Sequence, residues 1–224
     1  MISEKMMGLG KKRSVIREIF EYGNKRRQEI GAENVFDFSL GNPSIPAPEF
    51  VNETMKRLIT EKDSVALHGY TSAQGALPVR QAISDHINKR FSIGATPDLL
   101  YMTCGAAASL TITLNALINS GDEVIVLAPF FPEYRVFAEK AGAEIKVVKC
   151  RENDLQIDFT ALENALTKNT KAIIVNSPNN PSGVVLSEDT IKELAELLNK
   201  KSAEFGTDIY IIQTSPTVSL YTVM

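Results

Sequence analysis

The sequence predicts an α/β fold: a mainly parallel sheet flanked by helices, with a helical arm at the N-terminus. Three observations point there. From residue 97 onward short apolar runs alternate with helical patterns, the order expected of parallel strands joined by helical crossovers. The run Ala172-Ile173-Ile174-Val175-Asn176 is β-branched and bounded by turn residues, as in a buried parallel strand. Directly behind it stands Ser177-Pro178-Asn179-Asn180-Pro181-Ser182-Gly183, which cannot be regular structure. Pro178 and Pro181 lack donor N–H groups and push the residues before them into extended conformations, and Gly183 frees the backbone to turn. The amide side chain of Asn180 is thereby held at the carboxyl end of a strand, where open α/β sheets keep their ligands.

The elements follow in order. An N-terminal helix is expected from Arg13 to Gln28, apolar at Val15, Ile16, Ile19 and Phe20. An extended run, Val35 to Leu40, and two helices, Glu49 to Thr60 and Leu77 to Phe91, come next. Pro43, Pro46 and Pro48 interrupt the chain after Gly41, so a hinge is expected there, dividing residues 1–46 from 47–224. Leu99 to Thr103 reads as a strand and Ala107 to Leu117 as a helix with Leu110, Leu114 and Leu117 on one face. Glu123 to Leu127 is a strand, Pro132 to Ala141 a helix that Gly142 ends, and Glu144 to Val148 a strand. Asp158 caps a helix from Phe159 to Leu166. After the strand Ala172 to Val175, Ser187 caps a helix carrying Ile191, Leu194, Ala195 and Leu198, and Asp208 to Ile212 is the last strand.

Composition excludes several classes. With 224 residues, 44% of them hydrophobic and 23% charged, the chain can bury a sizeable core. A net charge of -3 gives no electrostatic reason to expect nucleic acid. No apolar stretch is long enough to span a membrane, and no signal core follows the N-terminus, so a cytoplasmic protein is expected. Two cysteines, Cys104 and Cys150, without metal-ligand spacing, fit a reducing compartment and make zinc improbable.

Three successive segments carry chemistry. Cys104-Gly105-Ala106-Ala107-Ala108-Ser109 lies where a strand is expected to give way to a helix. Small residues there let backbone N–H groups approach an anion, which the helix dipole favours; the plainer alternative is an ordinary strand-to-helix turn. Ala128-Pro129-Phe130-Phe131-Pro132-Glu133-Tyr134 fixes two aromatics between prolines. One ring could lie flat on a planar ligand, gaining about 1 kcal/mol beyond its area, or both could pack under a loop. Together with Asn180 these offer a phosphate site, a stacking ring and a hydrogen-bonding amide. A flat, phosphorylated heteroaromatic cofactor satisfies all three.

The chain resembles the N-terminal portion of a class I/II aminotransferase of pyridoxal-5'-phosphate fold type I. The residues that carry the resemblance run in family order over nearly the whole chain. They are Ser39-Leu40-Gly41-Asn42-Pro43, Tyr70-Thr71-Ser72-Ala73-Gln74-Gly75 with Leu77 and Arg80-Gln81-Ala82-Ile83, Thr103-Cys104-Gly105-Ala106, the aromatic-proline segment ending at Tyr134, and Asn176 to Gly183. The resemblance implies that Gly105, Ala106 and Ala107 hold the cofactor phosphate through backbone N–H groups. It implies that Phe131 stacks on the pyridine ring and that Asn180 donates to the phenolic oxygen. Tyr70 would reach the phosphate of the neighbouring subunit in a homodimer, and Gly41 would line the substrate carboxylate pocket. A packing tyrosine and a turn glycine are the alternatives for these two. Residues 1–46 would then be the arm and part of a small domain, and 47–224 an incomplete cofactor-binding large domain. The substrates would be amino acids and 2-oxo acids.

The family's Schiff-base lysine, the carboxylate that pairs with the pyridinium nitrogen and the arginine that binds the substrate carboxylate have no match here. The resemblance expects the carboxylate within Asp-x-x-Tyr after the last strand, where this sequence has Gln213-Thr214-Ser215-Pro216-Thr217. Residues Gln213 to Met224 can be encoded so that a reading begun at the third base of the first codon gives Asp-Glu-Pro-Tyr-Arg-Glu-Leu-Val-Tyr-Gly-Asp. A frameshift truncation is therefore the expectation, with weak non-covalent cofactor binding and no transamination by the chain alone. The alternatives are a non-catalytic cofactor-binding or interaction fragment, or a β-eliminating lyase of the same fold. A nucleotide-binding domain is disfavoured, because neither G-x-G-x-x-G nor G-x-x-x-x-G-K-[ST] occurs.

Overall fold

The computed structural model describes residues 4–11, 15–39, 41 and 45–214. The chain divides into two compact units, residues Met1–Tyr70 and Thr71–Met224. In the first unit the helices are α1 (Glu4–Lys11), α2 (Val15–Ile30), α3 (Glu49–Glu61) and α4 (Ser64–His68). The expected helix from Arg13 is described from Val15 and runs two residues past Gln28; Arg13 itself lies outside the described residues. After α2 the chain is pinned by Asp37. Its carboxylate accepts from the Ser39 backbone N–H at 2.9 Å and hydroxyl at 2.6 Å, and pairs with Arg27 at 3.3 Å. Those Ser39 donors, with Arg27 adding to them, hold the Asp37 pKa below the ordinary carboxylate value. α4 was not expected; Asp63 starts it by accepting from the Ala66 N–H at 2.9 Å.

The second unit holds α5 (Leu77–Phe91), α6 (Ala106–Leu117), β1 (Glu123–Ala128), α7 (Glu133–Ala141), β2 (Glu144–Lys149), α8 (Phe159–Ala165), β3 (Thr170–Asn176), α9 (Glu188–Phe205) and β4 (Tyr210–Thr214). The four strands form one parallel sheet in the order β2-β1-β3-β4. Asp158 and Ser187 cap α8 and α9 as expected, through Ala161 N–H at 2.9 Å and Thr190 N–H at 3.1 Å. Gly142 ends α7.

Alternation along the central strands divides the core between two sheet faces. Val124 and Val126 of β1, with Ala172 and Ile174 of β3, pack beneath α6 and α7 through Leu110, Leu114 and Ala138. Ile125, Leu127, Ile173 and Val175 face the other way and meet Leu162, Leu194 and Leu198 of α8 and α9. At the amino end of β1, the buried Glu123 carboxylate accepts from the Thr167 hydroxyl at 2.7 Å and that of Thr170 at 3.3 Å. It also pairs with Lys146 at 3.4 Å, which ties three strands at one point.

One expected strand is absent. Pro97–Leu99 forms a single 3-10 turn, and residues 100–103 are irregular, with Leu99, Tyr101 and Met102 exposed. A strand is a property of a pair, and no described strand lies beside this segment. Its Met102 N–H donates instead to the Gln74 carbonyl at 2.9 Å. That contact belongs to the turn at Gly75, whose carbonyl also accepts from the buried Arg80 Nε at 3.1 Å.

Candidate functional site

α6 begins without a side-chain cap. Gly105 stands at its N-cap with φ 86° and ψ 176°, and Ser109 N–H is the donor that its carbonyl receives at 3.2 Å. The N–H groups of Ala106, Ala107 and Ala108 therefore have no acceptor among the described residues. Ala106 and Ala107 are exposed, and no heavy atom lies within 4 Å of where a Cβ on Gly105 would stand. The Thr103 hydroxyl fastens the turn from behind, 2.6 Å from the Ser109 hydroxyl and 3.2 Å from the Gly105 carbonyl. α6 leads through a short turn into β1 and packs back along it, so its N-terminus lies at the carboxyl edge of the sheet. Free N–H donors at the positive end of a helix dipole suit an anion.

The second segment leaves β1 through the cis peptide Ala128-Pro129. Phe131 is half-buried, with its ring edge-on to the buried Tyr134 ring at 5.7 Å and 75°. The turn into α7 closes when the Phe131 and Pro132 carbonyls accept from Tyr134 N–H at 3.1 Å and Arg135 N–H at 3.2 Å. The Phe131 ring is thus fixed by packing on one edge.

The third segment leaves β3, the neighbour of β1, and contains cis peptides at Ser177-Pro178 and Asn180-Pro181. Asn179 holds it together. Its N–H donates to Val184 O at 2.9 Å and its carbonyl accepts from Gly183 N–H at 2.7 Å. Its side-chain oxygen accepts from Ser182 N–H at 3.1 Å and the Ser182 hydroxyl at 2.9 Å. Asn180 is exposed, and its carboxamide makes no hydrogen bond among the described residues. Asn176, buried at the end of β3, accepts from Asn180 N–H at 2.6 Å and donates to Thr214 O at 2.7 Å.

Gly105, Ala106, Phe131 and Asn180 thus belong to three segments along one edge of the sheet. A cavity of about 20 Å³ lies between the loops after β1 and β3, lined by Pro129, Phe130, Tyr134, Cys150, Asn176 and Asn179 among others. It has room for roughly one water and not for a ligand, and its lining includes the neighbours of Phe131 and Asn180 rather than those residues. A ligand at this edge would sit on the open surface beyond it. Burial, and then Asp154 and Asp158, push the Cys150 thiol pKa up. Gly41 and Tyr70 belong to the first unit, and both are exposed. Among the described residues no group of three His, Cys, Asp or Glu side chains could hold a metal ion. Asn176 and Asn179, which are not among the residues expected at the site, support the loop that carries Asn180. The available signal was an amide closing a buried strand, since a buried amide needs partners.

The sequence pattern of aminotransferase class I and II matches residues 33–208. A probable aspartate aminotransferase of Methanocaldococcus jannaschii is 32% identical over 197 residues, covering 88% of this chain and 48% of that protein. A probable N-acetyl-LL-diaminopimelate aminotransferase of Bacillus subtilis is 30% identical, covering 76% of this chain and 42% of that protein. The crystal structure of an amino transferase from Eubacterium rectale superposes with a TM-score of 0.93 at 54% identity, over 96% of this chain and 55% of that one. Aspartate aminotransferase of Thermus thermophilus, solved with maleate, gives 0.81 at 26% identity, over 96% and 53%. The chain spans about half the length of the curated relatives it matches.

Proposed function

This chain belongs to the aminotransferase class I and II family, and on that premise we propose that it supplies the cofactor-cradling half of a pyridoxal 5'-phosphate-dependent aminotransferase of amino acids and 2-oxo acids. The observation that carries this reading is the uncapped N-terminus of α6 on the same sheet edge as the Phe131 and Asn180 loops. Bound pyridoxal phosphate supplies an electron-accepting ring for amino-group transfer.

The residues present fit that group. N–H donors at Gly105, Ala106 and Ala107 would hold its phosphate, and the absence of a side chain on Gly105 leaves them open. Phe131, braced by Tyr134, would lie against the ring, and the exposed Asn180 carboxamide would donate to the phenolic oxygen. Tyr70, fully exposed, would reach the phosphate of a second subunit in a homodimer, and Gly41 would line the substrate carboxylate pocket. In the complete enzyme, residues 1–46 would be the arm and part of the small domain, and 47–224 the large domain. No lysine here matches the Schiff-base position of the resemblance, so turnover is reserved to the whole protein. A cytoplasmic setting is proposed on the two free cysteines. Among the described residues no helix is long and apolar enough to cross a membrane.

The test is equilibrium binding of 4-deoxypyridoxine 5'-phosphate, which has no aldehyde to react with surface lysines, and of 4-deoxypyridoxine. The phosphorylated compound should bind at least about tenfold tighter, and Gly105→Ala should erase the difference. Equal affinities in the unsubstituted chain, or no binding, would overturn the reading.

A further inference from the structure

We infer that Asn176 is a positioning residue: its buried carboxamide holds the Asn180 tip of the 177–183 loop to the end of β4, and so sets how Asn180 meets a ligand ring. This deepens the cofactor reading of Asn180 and rests on it. The Asn180 backbone N is a donor and the Thr214 carbonyl an acceptor, so the 2.6 Å and 2.7 Å contacts allow one orientation of the Asn176 amide. Both of its polar ends are used, and the side chain is buried.

The Leu186 N–H holds the start of the loop by donating to the Ser177 hydroxyl at 3.0 Å, and the tip is restrained in two further ways among the described residues. Asn179 and Ser182 fold the tip through bonds that stay between residues 179 and 184. Among the described residues it is Asn176 that joins the tip to a neighbouring strand. Pro181 has no N–H, so Asn180 carries the one backbone donor at the tip between Asn179 and Ser182. Meanwhile the Asn180 carboxamide has no partner of its own among the described residues, so its placement follows from its backbone.

No near relative of the side chain serves equally. Alanine leaves the Asn180 N–H and the buried Thr214 carbonyl unpaired. Aspartate keeps the shape and the acceptor but turns a carboxylate oxygen toward the Thr214 carbonyl.

The experiment uses the full chain and two readouts. Hydrogen exchange without ligand should show a slow Asn180 N–H that accelerates at least about tenfold in Asn176→Ala, while Asn179 and Gly183 N–H are unchanged. An unchanged Asn180 rate overturns the inference. The second readout is the affinity ratio between 4-deoxypyridoxine 5'-phosphate and the same compound without its ring hydroxyl. Asn180→Ala should bring that ratio to unity and Asn176→Ala should bring it close, with inorganic phosphate affinity unaltered. A merely structural role would lower both affinities together and leave the ratio, which overturns the inference. If Asn180→Ala leaves the ratio at the unsubstituted value, the cofactor reading of Asn180 has failed instead. Asn176→Asp guards against misfolding: Asn180 N–H should stay slow while the ratio falls, and an unchanged ratio would refute the tie to β4.

Discussion

Replacing Gly105 by alanine separates backbone geometry from packing at the point where α6 begins. Its φ of 86° with ψ of 176° lies where residues with a Cβ are strained, yet a Cβ would meet no heavy atom within 4 Å. The cost is therefore conformational alone, about 1–3 kcal/mol. Gly75 supplies the contrast. Its φ is 95°, and a Cβ there would stand 2.5 Å from Met102 Cγ and 2.7 Å from its Cβ. Neither is the free end of a flexible chain, so overpacking adds about 1–3 kcal/mol and the total becomes about 2–6 kcal/mol. The Gly75 turn also holds Ser72, through N–H to carbonyl at 2.8 Å and hydroxyl to carbonyl at 2.6 Å, so relief by turning the backbone breaks those bonds. The chain has no tryptophan, and urea unfolding followed by far-UV circular dichroism is the suitable assay. Equal losses at the two glycines, or a Gly75→Ala loss under about 0.5 kcal/mol, would refute the reasoning.

Leu114→Ala removes a fully buried side chain between α6 and the sheet and should cost about 2–5 kcal/mol in the same assay; a loss below about 1 kcal/mol would mean the α6 face is not packed. The Arg151 side chain, and next the Gln156 N–H, hold the Asp154 carboxyl below its ordinary pKa. Its folded value lies under the unfolded one, so the stabilisation is present above the unfolded value and lost as pH falls through the folded value. Carboxyl NMR titration should show an Asp154 midpoint below that of an unperturbed aspartate, and Arg151→Ala should raise it; a midpoint indifferent to that change contradicts the pairing. Iodoacetamide at neutral pH should modify exposed Cys104 well before half-buried Cys150, whose thiol burial holds in its protonated form; peptide mapping that finds Cys150 modified first would contradict this.

Some of this architecture was legible in the residues. β1 and β3 are continuous apolar runs, and burial on both faces demands that pattern. α9 announces itself by Ser187 and the spacing of Leu194 and Leu198. The run Leu99 to Thr103 misled because apolar residues signal burial or pairing only if a neighbour exists, and here the described sheet ends elsewhere. α4 is five residues long, too short to show a period, and only Asp63 marked it. At the candidate site the order of the three segments could be read, as could the small residues opening α6. Of Asn176 only the need of a strand-end amide for partners could be read, and not which partners, since these are one backbone group four residues away and another thirty-eight away.

One phosphorylated ring is proposed to meet all three segments at the carboxyl edge of the sheet at once. Chemical-shift mapping of the chain with 4-deoxypyridoxine 5'-phosphate tests this directly. Saturable shifts with a common midpoint at the Ala106 and Ala107 amides, the Phe131 ring and the Asn180 carboxamide are the predicted result. Shifts confined to other residues, or three groups titrating with unrelated midpoints, would contradict it.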